Sequence, residues 1–229
     1  SYLLESVVGG ERFGRYSFIG LTCSERMEVR GSTLRRLLRD ARGNDVCLET
    51  FEGDPFEYVR AWLKRHRTAP VPAALRFGGG LVGYFGYETV RHVEKRALAT
   101  PKPDALGTPD ALLLVSDELA VVDNVLGRLY LVVYADPQQP DALGTAKRRL
   151  EQLLARLATP LPDKLFRRRE GSKVGSQAAV ERSFTEAGFL EAVERSKQYI
   201  LAGDVMQVQI SQRASREFTA PPLALYRAL

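Results

Sequence analysis

Between Thr159 and Arg182 the hydrophobic periodicity of this chain stops. Two prolines, the basic run Arg167-Arg168-Arg169, and Gly171, Ser172, Gly175 and Ser176 follow one another there with neither a two-residue nor a 3.6-residue apolar repeat. A stretch of this kind reads as a flexible linker, not as part of a packed core. It divides the 229 residues into a region of 1–158, a linker of 159–182 and a shorter region of 183–229.

The first region is rich in strand signals. Tyr16–Leu21, Met27–Val29, Asp110–Val115, Leu119–Asp123 and Arg128–Tyr134 are short β-prone runs, and Asp123-Asn124 with Gly127 marks a hairpin turn between the last two. Two helices interrupt them. Asp54 stands at an N-cap position before Pro55, and Phe56, Val59, Trp62 and Leu63 form an apolar stripe over Pro55–Arg67. A second helix, from about Asp141 to Leu157, carries Leu143, Ala146, Leu150, Leu153, Leu154 and Leu157 on one side. Strands with a few amphipathic helices predict an α+β fold: a large mixed or antiparallel sheet with helices on its outer faces. Beyond the linker, Ser183-x-x-Glu186 spells a capping box, Phe189, Leu190, Val193, Ile200 and Leu201 recur at helical spacing, and Gly203 fits the C′ position. Val205–Arg213 then alternates as a strand, with Met206, Val208 and Ile210 on one face and Gln207, Gln209, Ser211 and Arg213 on the other. Pro222–Leu229 reads as the start of a helix, so the fold is expected to be incomplete at the carboxyl end and the chain to be a fragment.

Composition removes several classes of function. The 33 basic and 28 acidic residues leave a net charge of only +5. The basic clusters (Arg35-Arg36, Arg39, Lys147-Arg148-Arg149 and the linker arginines) have no interleaved aromatic platform and read as solvated helix faces or linkers, which argues against nucleic acid as a partner. Two histidines, His66 and His92, leave little material for zinc sites or catalytic triads. Cys23 and Cys47 lack metal-like spacing and, with no secretory signal, point to a cytoplasmic setting. No apolar run approaches the ~20 residues of a membrane helix.

Chemistry concentrates at the amino terminus. Leu3-Leu4-Glu5-Ser6, a Gly9-Gly10 turn and Gly14-Arg15-Tyr16-Ser17-Phe18-Ile19-Gly20 bring a carboxylate, a hydroxyl and a guanidinium together on two strands. That set can close around a small zwitterion, with Glu5 for its ammonium, Arg15 for its carboxylate and Ser6 for a neutral polar edge. Equally, Glu5 and Arg15 can form a cross-strand ion pair. Adjacent strand residues face opposite sides, so Glu5 and Ser6 share a pocket only if the strand ends or bulges there. Gly78-Gly79-Gly80 lacks the Gly-Lys-Ser/Thr ending of a phosphate loop and fits close backbone packing in a sheet. Tyr84 and Tyr87 read as core or interface residues, and Glu88 as a partner for Arg91.

Three segments, in order, carry a resemblance: Leu3–Gly20 as quoted, Phe77-Gly78-Gly79-Gly80-Leu81-Val82-Gly83-Tyr84-Phe85-Gly86-Tyr87-Glu88, and Ala202-Gly203-Asp204-Val205-Met206-Gln207-Val208-Gln209-Ile210-Ser211-Gln212-Arg213. Together they resemble the anthranilate synthase component I family of chorismate-utilising enzymes, in its amino-terminal part. The sister aminodeoxychorismate synthase family has similar segments. The resemblance implies a lyase that makes anthranilate and pyruvate from chorismate and ammonia, with Mg²⁺ as cofactor and a glutamine amidotransferase subunit as the ammonia source. It implies that residues 1–158 are regulatory, that Glu5 and Ser6 bind the feedback inhibitor tryptophan with Arg15 nearby, and that 183–229 begins a chorismate-binding catalytic domain. Gln207 would line the active site. Relatives that add water to chorismate have a lysine base there, and a neutral glutamine suits ammonia, which needs no base at that spot. Gln209 departs from the family, which usually has an apolar residue in its place. The Mg²⁺ ligands and acid/base residues are expected outside residues 1–229, so this chain alone is expected to be inactive. A non-catalytic amino-acid-sensing module is the reading from a different class.

Overall fold

The computed structural model describes residues 1–5, 14–70, 75–94, 104, 106–160, 179–218 and 220–229. The chain falls into two compact units, Ser1–Pro160 and Leu161–Leu229. Most of the linker stretch, residues 161–178, lies outside the described residues, as does Ser6.

The first unit is antiparallel throughout. Strands β1 (Tyr2–Leu4), β2 (Tyr16–Gly20), β8 (Glu118–Asp123) and β9 (Arg128–Val133) make a four-stranded sheet in the order β1-β2-β8-β9. Strands β5 (Asp45–Glu52), β4 (Thr33–Arg39), β3 (Glu25–Arg30), β7 (Ala111–Ser116) and β6 (Gly80–Phe85) make a five-stranded sheet in the order β5-β4-β3-β7-β6. The α+β class expected from the sequence is present, its strands shared between two sheets. A single residue, Asp117, separates β7 from β8 and carries the chain from the middle of one sheet to the middle of the other.

Helix α1 (Pro55–Arg65) begins as its sequence dictates. The Asp54 carboxylate accepts the Phe56 N–H at 2.8 Å, satisfying one donor that an α-helix leaves open at its start. The helix lays Tyr58, Val59 and Trp62 on the five-stranded sheet, over Met27, Val29, Leu34, Ala111 and Leu113. The four-stranded sheet has its own core, with Tyr16, Leu75, Leu119 and Val121 buried beneath Phe18, Phe77, Tyr130 and Val132. Helix α2 (Ala142–Ala158) packs along β9 by burying Leu153, and its Arg149 forks onto both Glu118 oxygens at 2.7 and 2.8 Å.

Strands β4 and β5 went unread in the sequence, and the reading of Arg35-Arg36 and Arg39 as a solvated helix face or linker is corrected: they lie on a strand. Leu34 and Leu37 are both buried although three residues apart, which mimics helical spacing. On a strand, residues three apart face opposite sides, and the pairing slips across a bulge between Arg36 and Leu37. Arg36 is held by Glu25 at 3.1 Å and by Glu49 at 3.4 Å.

In the second unit, helix α3 (Glu186–Leu201) is capped by Thr185, whose hydroxyl accepts the Gly188 N–H at 3.1 Å. The expected capping box at Ser183 is therefore displaced by two residues. The Ser183 hydroxyl instead accepts the Arg213 N–H at 2.8 Å, beside the short ribbon of β10 (Glu181–Arg182) and β11 (Ala214–Ser215). The helix closes at Gly203, with φ at +80°, through Gly203 N–H to Ile200 and Asp204 N–H to Tyr199 carbonyls, as the C′ reading requires. Helix α4 spans Pro222–Ala228. The strand expected over Val205–Arg213 is not formed; only Ala214–Ser215 belongs to a ladder. Alternation marks two faces, but a strand also needs a neighbour strand for its N–H and C=O groups, and among the described residues this stretch joins no ladder; Arg213, at its end, bonds to Ser183.

Candidate functional site

The β1–β2 pair sets the geometry of the amino-terminal site. Tyr2, Leu3 and Leu4 run antiparallel to Gly20, Ile19 and Phe18. Glu5 follows the last residue of β1 and Arg15 precedes the first residue of β2, so both lie at the same end of this hairpin. Glu5 is exposed. Gly20 lets the Tyr2 ring lie flat on β2, in the space a β-carbon would fill. The Tyr2 hydroxyl then reaches Ser116 at 2.8 Å, where the two sheets meet.

Arg15 does not stand alone. Its Nε lies 3.1 Å and its Nη2 2.8 Å from Oδ2 of Asp123, the last residue of β8. Asp123 is only 1% exposed. Its Oδ1 also accepts the Val125 and Leu126 N–H groups at 3.1 and 3.0 Å, so the carboxylate closes the β8–β9 turn from within. Asn124 completes the arrangement, donating its N–H to the Arg15 carbonyl at 2.7 Å and its Nδ2 to the Gly14 carbonyl at 3.2 Å. The start of β2 is thus gripped by a turn more than 100 residues away. Sequence reasoning found that turn but not its role. The available signal was a carboxylate ending the apolar run Leu119-Ala120-Val121-Val122, where burial demands a partner.

The Arg15 guanidinium, followed by the turn N–H groups, holds the Asp123 carboxyl below the usual carboxylate range. A carboxyl whose pKa is lower folded than unfolded stabilises the fold above the unfolded value of about 3.9 and loses that contribution as pH falls through the folded value. Asp123→Asn is therefore expected to melt below the wild-type chain at neutral pH, with the gap in Tm narrowing once the pH falls below about 4. Thermal melts of both chains at descending pH check this.

Ser6 lies outside the described residues, and the remaining predicted site residues are in the second unit. Gln207 and Gln209 are exposed, and Met206 beside them is 98% exposed. They are not packed among aliphatic neighbours. In the second glycine-rich segment, a β-carbon on Gly79 would strike the Ser116 carbonyl, which accounts for that glycine by close packing; its φ is +119°. Tyr84 donates to the Pro109 carbonyl at 3.0 Å, and Glu88 pairs with Arg91 at 2.8 Å. The core reading of Tyr84 and Tyr87 is corrected, since they are 41% and 83% exposed: β6 is an edge strand, and Tyr87 lies just past its end. Cys23 and Cys47 are free thiols. No group of three or more His, Cys, Asp or Glu side chains that could hold a metal ion occurs among the described residues, so these residues do not fit Mg²⁺. None of the described helices is long and apolar enough to cross a membrane.

With this geometry in place, comparison with known proteins is informative. The family of chorismate binding enzymes matches residues 25–229. Anthranilate synthase component 1 of Neisseria gonorrhoeae is 49% identical over an alignment of 234 positions, covering 100% of this chain and 45% of the relative. Its counterpart in Pseudomonas aeruginosa is 46% identical, again over 100% of this chain and 46% of the relative. The chain thus spans a little under half the length of these relatives. A crystal structure of anthranilate synthase component I from Streptococcus pneumoniae superposes with a TM-score of 0.71 at 22% identity, over 100% of this chain and 46% of that one, a likeness of fold.

Proposed function

The chain belongs to the family of chorismate-binding enzymes, and on that footing we propose that it is part of an anthranilate synthase component I. The observation that carries this reading is the similarity to such subunits along all of its length, at 46–49% identity. The parent is a cytoplasmic lyase of tryptophan biosynthesis that turns chorismate and ammonia into anthranilate, pyruvate and water. Ammonia comes from glutamine through a partner amidotransferase subunit and attacks the chorismate ring; a hydroxyl departs and pyruvate is eliminated. Gln207 supports amination over hydration, being unable to serve as the base that would activate water. Mg²⁺ would offset the charge of the bound dianion and the leaving oxygen.

Product identity tests the reading. The complete subunit, given chorismate and an ammonium salt, is expected to release fluorescent anthranilate and pyruvate in equal amounts. Accumulation of aminodeoxychorismate without pyruvate would assign the chain to the folate-pathway sister instead. The 229-residue chain by itself is expected to yield no anthranilate, since its described residues offer no metal-binding cluster.

Regulation forms the second part of the proposal. Tryptophan binds at the amino-terminal hairpin, with Glu5 and Ser6 as contacts and Arg15 beside them, and lowers the affinity for chorismate. Couplings of this type are typically ~1–3 kcal/mol, or roughly 5–150-fold. Glu5→Ala in the complete subunit is expected to raise the tryptophan concentration for half-inhibition within that range. Undiminished sensitivity would leave Glu5 a structural residue.

A further inference from the structure

Helix α2 carries more apolar surface than its sheet takes up. At about 100° per residue, Leu143, Leu150, Leu154 and Leu157 fall within roughly 60° of one another around the helix axis. Leu153, the residue that the helix buries along β9, lies about a quarter-turn from Leu143 and Leu154. The helix therefore docks by one margin of its apolar stripe. The rest stays in water: Leu143, Leu154 and Leu157 are 67%, 58% and 57% exposed, and Leu150 is half-buried. A helix that served only to cover β9 would carry polar residues at those positions.

The order of residues along the stripe indicates what covers it. It reads alike in both directions from Leu150, with Leu143 and Leu157 seven residues to either side and Ala146 and Leu154 four. A second α2 laid antiparallel, with Leu150 against its own copy, meets apolar with apolar at every level: Leu143 against the second copy's Leu157, and Ala146 against its Leu154. A two-fold interface demands this self-complementarity, and an unrelated partner does not. Charge agrees with it. Lys147 and Glu151 are exposed along the solvent flank of the stripe, and among the described residues neither is in an ion pair. In the antiparallel pair both flanks lie on the same side, and each Lys147 stands about two residues, or ~3 Å along the axis, from the second copy's Glu151.

We propose that this stripe is a homodimer interface: two copies of the subunit associate through antiparallel α2 helices about a two-fold axis at Leu150, with Lys147–Glu151 pairs on the rim.

Sedimentation equilibrium on the complete subunit tests it. The wild type is expected to dimerise reversibly. Leu154→Glu is expected to raise the dimer dissociation constant at least about a hundredfold, since two apolar side chains lose their burial. Lys147→Glu sets carboxylate against carboxylate across the rim and Glu151→Lys sets ammonium against ammonium, so each alone is expected to weaken the dimer about tenfold. An equimolar mixture of those two variants is expected to dimerise again as a mixed pair, because each then faces opposite charge. Both reversals are on exposed residues and keep the test open should Leu154→Glu not fold. A subunit that is monomeric at every concentration overturns the proposal. So does a dimer that withstands Leu154→Glu, or a mixture no tighter than its components. If the subunit is monomeric and Leu154→Glu lowers its Tm, the rest of its own chain covers the stripe. If instead that variant abolishes glutamine-dependent but not ammonia-dependent synthesis, the amidotransferase covers it. Either result also overturns the homodimer.

Discussion

Trp62→Ala is expected to destabilise the first unit by about 3–5 kcal/mol, the usual cost of deleting a buried large aromatic side chain. Trp62 is 5% exposed and belongs to the core cluster between α1 and the five-stranded sheet, with Met27, Val29, Leu34, Tyr58, Ala111 and Leu113. On its outer side the indole stacks on His66, with ring centres 3.9 Å apart and planes 11° from parallel. Truncation removes both contacts and opens a cavity that a helix clamped at Asp54 cannot collapse to fill. Trp62→Phe should recover most of the loss. It keeps an aromatic ring in the cluster, and the indole N–H it deletes has no hydrogen-bond partner among the described residues. Urea unfolding followed by circular dichroism separates the two variants, with the midpoint shifted and the slope unchanged if only stability is altered.

Gly83→Ala is expected to cost about 1–3 kcal/mol, the range for inserting a methylene where there is no room for it, although Gly83 itself is exposed on the edge strand β6. Gly83 lies opposite Leu113 in the β6–β7 ladder. A β-carbon there would overlap the Leu112 carbonyl and stand 3.0 Å from the Leu113 Cα. These are backbone atoms of a central strand and cannot swing aside, so the ladder itself must part. Gly20→Ala makes the instructive comparison. The three atoms nearest to its new methyl all belong to the Tyr2 ring, a side chain and not backbone. A smaller loss of Tm is expected there, accompanied by loss of the Tyr2–Ser116 hydrogen bond. A loss at Gly20 as large as at Gly83 would show that Tyr2 is as firmly fixed as the strand.

What local chemistry dictates could be read in advance. Asp54 and Pro55 start α1, Gly203 ends α3, and the Asp123–Gly127 turn joins β8 to β9, because each depends on residues within a few positions. Errors arose where a distant partner decides. Ser183 spells a cap but gives its hydroxyl to Arg213, 30 residues on, leaving Thr185 to start the helix. β4 hid because Leu34 and Leu37 bury on opposite faces of a strand, a spacing that imitates a helix. Val205–Arg213 has the alternation of a strand and joins no ladder among the described residues.

The site divides in the same way. Glu5 and Arg15 were singled out from sequence, and the hairpin brings them to one end. Asp123 was seen only as part of a turn, since nothing within 100 residues of it points to Arg15. Gln207, singled out from its alternating stretch, is exposed on its own unit.

Asp117 has a consequence for how the first unit comes apart. One residue leaves no slack between two interior strands, and the ladders of the four-stranded sheet run right up to it, through Leu21 N–H to the Glu118 carbonyl and Tyr134 N–H to the Asp117 carbonyl, both at 3.0 Å. Neither sheet can shed the strand next to Asp117 without dragging on the other, so the two are expected to melt as one cooperative body, and lengthening that joint by a residue or two is expected to loosen the mechanical link between them.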